Sequence, residues 1–189
     1  MTYALITPPT AEPLTLAEAK AHLRLDTDDE NDLVSGLITV AREHLERSAG
    51  HCLLTQTWRL HLDSISEDGM ISIARGPVQA IESLTVYDAE GDPSILPLDG
   101  HVLDGIRRPA RLMLTQSVKP GRAVNGIEID FRAGFGDAAT DVPDTLKRAM
   151  LTHVAQMFSC RGVVGLEDQP AFIPSGYDRL IAPFLIRRL

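Results

Sequence analysis

The chain has 189 residues, of which 44% are hydrophobic and 23% charged, with a formal net charge of −8. That length and balance suit one ordinary domain, or a core domain carrying an inserted module, and exclude a disordered or collagen-like chain. No stretch approaches the roughly 20 apolar residues that span a bilayer, and a net-acidic chain gains little from phosphate counterion release, so membrane insertion and tight DNA binding are both disfavoured.

Pro8, Pro9 and Pro13 mark the first 13 residues as an arm outside regular structure. Thr15 and Glu18 have the spacing of a capping box, which predicts a short helix with Leu16, Ala19 and Leu23 on one face. The acidic run Asp26, Asp28, Asp29, Glu30 and Asp32 precedes the most periodic segment of the chain. Leu33, Val34, Leu37, Ile38, Ala41, Leu45 and Ser48 fall at helical spacing, with Arg42 and Arg47 toward the far end and Gly50 as the stop, predicting a helix over 29–49.

From about residue 52 the period becomes two. Trp58, Leu60 and Leu62 alternate with Arg59, His61 and Asp63, and Ile127, Ile129 and Phe131 alternate with Glu128, Asp130 and Arg132. Further strands are predicted over 70–74, 81–88 and 111–115, separated by turn signals at 67–69, 75–77, 90–93 and 119–121. Helical spacing returns after Pro143, with Val142, Leu146, Ala149, Met150, His153, Val154 and Met157 on one face to about Cys160. A last amphipathic stretch carries Tyr177, Leu180, Ile181, Phe184 and Leu185, is kinked or restarted by Pro183, and ends in Arg187, Arg188 and Leu189. The expected fold is α+β: a helical core of about four helices, from 1–51 and 138–189, with a small antiparallel β module inserted at 52–137.

No motif for catalysis or metal binding emerges. HExxH and GxSxG are absent, and Cys52 and Cys160 belong to no metal-ligand cluster. His44 and His153 sit on apolar helix faces, where a core or interface role is expected. The run from Asp26 mimics the opening of a calcium loop, but position six is Asn31 and position twelve Leu37, so a solvated helix start is the better account. Gly134-Phe135-Gly136-Asp137 lacks the third glycine and Lys-Ser/Thr pair of a phosphate loop and reads as a turn. Arg107, Arg108 and Arg111 form one basic cluster and Arg187 and Arg188 another, without aromatic interleaving; solvated charge, an acidic partner or nearby phosphate all fit. No catalytic, cofactor or metal residue is assigned, and surfaces are expected to be what the chain contributes.

One resemblance spans nearly the whole chain. Leu14-Thr15-Leu16-Ala17-Glu18-Ala19-Lys20-Ala21-His22-Leu23-Arg24, the helix from Ala41 to Gly50, Gln56-Thr57-Trp58 and Arg75-Gly76-Pro77-Val78 occur in order. Phe131-Arg132-Ala133-Gly134-Phe135-Gly136-Asp137, Val142-Pro143, Leu146-Lys147 and Leu180-Ile181-Ala182-Pro183-Phe184 follow. This series resembles the phage head-tail connector (adaptor) family, in its phiE125 gp8-like branch, which includes the adaptors of gene transfer agents. The segment 159–174 departs from it, with Gly162, Gly165 and Pro170 where relatives carry a more polar loop.

The resemblance implies a non-enzymatic homo-oligomeric ring, a dodecamer, beneath the portal protein of a capsid. It would contact the stopper or tail, let DNA pass without specific binding, require no cofactor or membrane, and be assembled in the bacterial cytoplasm into the neck of a phage or phage-like particle. Tyr177, Leu180, Ile181, Phe184, Leu185, Arg187, Arg188 and Leu189 are the expected portal-docking interface, the alternative being that they pack on the chain's own core. A soluble regulatory or peptide-binding module without catalysis is the rival reading of the whole.

Overall fold

A computed structural model describes residues 1–115, 118–160 and 173–185. Backbone contacts divide the chain into two units, one of 1–9 with 55–135 and one of 10–54 with 136–189. Helices and antiparallel sheets segregate between them, an α+β fold.

The helical unit begins with α1 (Leu16–Leu23), whose start is built as the sequence requires. Glu18 N donates to Thr15 Oγ1 at 3.1 Å and Thr15 N donates to Glu18 Oε2 at 2.7 Å, so each residue satisfies an amide that the first helical turn leaves unmet. The long helix α2 (Asn31–Ala49) ends on Gly50 at φ 66°, a left-handed conformation that glycine enters without a Cβ clash. Its buried stripe is Val34, Leu37, Ile38, Ala41, Leu45, Glu46 and Ala49. Ala49, four residues beyond Leu45, takes the inward place expected of Ser48, which faces solvent. Helix α3 (Asp144–Cys160) presents Leu146, Ala149, Met150, His153, Val154 and Met157 to the interior. A short α4 (Tyr177–Ile181) runs directly into a 3₁₀ turn (Ala182–Phe184) containing Pro183, the restart that this proline predicts.

The β unit corrects the reading of the first residues. Thr2–Thr7 is not an arm but a strand, β1, and residues 1–9 group with the β unit. Its assignment comes from pairing with β2 (Gln56–Leu62), a partner fifty or more positions away that local composition does not reveal; Pro8 and Pro9 stop it rather than forbid it. The remaining strands are β3 (Met70–Ile73), β4 (Val78–Tyr87), β5 (Pro93–Leu96), β6 (Val102–Asp104), β7 (Ala110–Met113) and β8 (Ile127–Ala133). They form a five-stranded sheet, β1-β2-β8-β4-β5, and a three-stranded sheet, β3-β7-β6, all antiparallel.

Register sets the chemistry of the larger sheet. Leu60 opposes Ile129 and Leu62 opposes Ile127, so the apolar residues of β2 and β8 share a face, and Ile81 and Leu84 of β4 join them. A shift by one residue would turn all of them outward. Gly105 holds the unit together at another point: its carbonyl accepts from Val78 N at 3.1 Å, and a Cβ there would collide with the Val78 carbonyl.

Candidate assembly surfaces

The opposite face of the five-stranded sheet is polar and carries a cluster of paired charges. Arg59 of β2 and Asp130 of β8 are register partners, and the guanidinium donates twice to the carboxylate, at 2.7 and 2.9 Å. Arg59 also lies 3.0 Å from Glu128, which accepts from the Tyr87 hydroxyl at 3.0 Å. The bidentate bond to Asp130 raises the Arg59 pKa against the opposing effect of burial, so the cation is permanent. Arg75 places its guanidinium 3.7 Å over the Trp58 ring and 5.9 Å from that of Tyr3.

In the helical unit, Arg42 sits between two carboxylates, 2.8 Å from Glu12 and 3.2 Å from Glu46. Glu46 is buried and its other oxygen accepts from Leu53 N at 2.8 Å, tying the segment after α2 back to the helix. Lys147 of α3 reaches Glu18 of α1 at 3.0 Å. The capping bonds to Thr15 and then the Lys147 ammonium hold the Glu18 carboxyl below its ordinary range.

The expected docking stretch divides into two parts. Tyr177 is 1% exposed and Ile181 3%, and Tyr177 stacks edge-on against His153 and His44 at ring separations of 5.6 and 6.0 Å. These side chains are committed to the chain's own helical core. Burial pushes the Tyr177 pKa up to about 12. Phe184 is half-buried, its ring 5.7 Å from that of His51, and His51 Nε2 donates to the Phe184 carbonyl at 3.0 Å. Leu180 is half-buried and Leu185 is exposed. Arg187, Arg188 and Leu189 lie outside the described residues.

Of the basic cluster, Arg111 donates to Asp104 at 2.8 Å, and the same carboxylate accepts from Arg107 N at 3.3 Å, so these residues close the β6–β7 connection. In the acidic run, Asp28 accepts from Lys20 at 2.6 Å and from the Asn31 amide at 3.1 Å. No group of three His, Cys, Asp or Glu side chains placed to hold a metal ion occurs among the described residues. A cleft of about 430 Å³ lined by Ile65, Ser66, Asp68, Gly69, Leu114 and Lys119 holds the obvious polar pair. Within it Ser66 Oγ lies 2.6 Å from Asp68 and 2.8 Å from the Met70 carbonyl, while Met70 N donates to Asp68, so these groups cap a turn.

What remains conspicuous is at the sheet edges. Leu5, Ile6, Ile95, Val102 and Ile106 are exposed apolar side chains, all on or beside edge strands β1, β5 and β6. Sequence periodicity does not single them out; their position at an edge follows only from strand order.

Comparison with known proteins places this arrangement. The sequence matches the family described as phage gp6-like head-tail connector protein over residues 13–92. No curated protein matches it. Solved structures match over the full chain and over 97% of the other chain. A chain from the neck of an empty gene transfer agent particle, computed with sixfold symmetry, gives a TM-score of 0.81 at 26% identity. One from the virion of a native gene transfer agent gives 0.75 at 25% identity, and one from the neck of a native particle, computed with twelvefold symmetry, gives 0.74 at 25%. The chain is thus similar to head-tail connector proteins over 13–92 and to gene transfer agent neck and virion chains over its full length, and these likenesses support the role of a structural connector.

Proposed function

We propose that copies of this chain form a closed ring of twelve in the neck of a tailed phage or gene transfer agent, between the portal protein and the stopper or tail. The observation that carries the reading is the full-length likeness to a chain of native neck with twelvefold symmetry. A cyclic ring needs two different, complementary surfaces on each subunit, and a helical core with an inserted β module supplies two chemically distinct ones. In this reading the helical unit is the connector core, the β unit is the insertion, and the ring is assembled in the bacterial cytoplasm.

The charge distribution suits a channel. The helical unit's residues carry a net −5 and those of the β unit −3, from the same residues that give −8 for the whole chain. Acidic side chains facing a lumen repel the phosphate backbone and let DNA pass without adhering. Catalysis has no part in this role.

The C-terminal stretch docks on the portal, with Tyr177 and Ile181 as its internal anchor and Leu180, Phe184, Leu185 and the following Arg187, Arg188 and Leu189 as the part offered outward. Support comes from the gradient of burial along it, from fully enclosed at Tyr177 to exposed at Leu185. Imaging of the purified chain mixed with portal tests the reading: twelvefold rings seated on the portal are expected, whereas single copies that bind a soluble protein and ignore the portal favour a free module. A bulky group fused after Leu189 should block seating, and normal seating would count against C-terminal docking.

A further inference from the structure

The five-stranded sheet ends on β1 at one side and β5 at the other. A free strand edge presents unmet N–H and C=O groups, and proteins that stay alone guard it with charges, prolines or a covering segment. Neither edge here contains a charge: β1 reads Thr-Tyr-Ala-Leu-Ile-Thr and β5 reads Pro-Ser-Ile-Leu. Apolar side chains stand in solvent on both, Leu5 at 46% and Ile6 at 48% exposure on β1, and Ile95 at 77% on β5. Prolines stand at the strand ends, Pro8 and Pro9 after β1, Pro93 as the first residue of β5 and Pro97 just after it, which limits pairing to a few residues and prevents open-ended addition.

We propose that these edges are mates: β1 of one copy lies against β5 of the next, so that the five-stranded sheets of neighbouring copies join edge to edge around the ring. This rests on the ring reading above. Identical chains close a ring only through a contact between two different surfaces, and the two ends of one sheet are such a pair. They match in chemistry, both uncharged, both apolar outward, and each able to complete the other's backbone hydrogen bonds. Pairing of β1 with β1 would stop at a dimer and leave β5 open. A strand from another protein on one edge would leave the other open in every copy.

Cross-linking tests the pairing on the chain assembled with portal. Cys160→Ser removes the half-buried thiol, and Cys52 is buried. Into that background go Ile6→Cys, Ile95→Cys, or both, followed by a short bismaleimide and a denaturing gel. The double variant should give a ladder rising to the ring's copy number, and each single variant only monomer. Dimers from either single variant would overturn the pairing in favour of like-with-like contact. Rings that image normally yet give no ladder would overturn it and leave the ring reading intact; single copies seated on the portal without rings would remove the ring reading and the pairing together. Ile95→Lys adds a second readout, with loss of ring formation expected at an unchanged melting temperature of the isolated chain, and normal rings contradicting the proposal.

Discussion

The helical unit and the β unit handle their loose ends differently. Around the helices, unmet groups are answered from within: the Thr15–Glu18 box covers the start of α1, Gly50 closes α2, and Glu46 captures Leu53 N while holding Arg42. The larger sheet pairs the charges of its polar face through Arg59, Asp130, Glu128 and Tyr87, yet it leaves two uncharged edges bearing Leu5, Ile6 and Ile95. The contrast teaches that the exposed apolar side chains of the larger sheet gather on its edge strands, where a neighbour can cover them.

The comparison is sharpest in the cores. Phe131 is fully buried in the β unit and Leu45 in the helical unit. Phe131→Ala should cost about 3–5 kcal/mol and Leu45→Ala about 2–5 kcal/mol in denaturant unfolding, each by leaving a cavity. A much smaller loss at either site would mean that its unit is loosely packed. Glu46→Ala comes next, at about 1–3 kcal/mol, because it strands a buried backbone amide. Glu46→Gln, which keeps an acceptor, should recover part of that loss. Removing the Arg59–Asp130 pair by a double-mutant cycle should give a coupling of about 1 kcal/mol that shrinks in high salt, since Arg59 is about a third exposed. Thr15→Ala should cost about 1 kcal/mol and Thr15→Ser much less.

Two titrations divide the helical unit by sign. Glu18 has its folded pKa lowered from 4.5 by the Thr15 cap and Lys147, so its contribution is complete above the ordinary value and fades as pH falls through the lowered one. Unfolding midpoints of the native chain and Glu18→Gln should therefore converge in acid. Tyr177 has its folded pKa raised from 10.0 to about 12 by burial, so the native state is favoured by its neutral form and loses stability as pH rises between those values. Tyr177→Phe should flatten the alkaline end of the profile, and no change there would place the phenol outside the core.

Legibility in the sequence followed the range of the interactions. The capping box, the stop at Gly50 and the inward stripes of α2 and α3 depend on residues three or four apart, and they can be read directly. Alternation marked β2 and β8 and even sorted Arg59 and Asp130 to the polar side, but the bond between them required a register across 71 positions. β1 escaped notice because its prolines end it and its partner is remote, and β5 and β6 because four and three residues leave no period to see. The edges that carry the interaction proposal are a property of strand order alone. The C-terminal stretch was legible as amphipathic, whereas the split between its buried anchor and its exposed end was not.

Deleting the chain from an otherwise intact particle-producing cell and imaging what is released tests the connector role most directly. DNA-filled heads and separate tails are predicted, with joining restored when the chain is supplied again. Heads and tails that join normally without it would contradict the account.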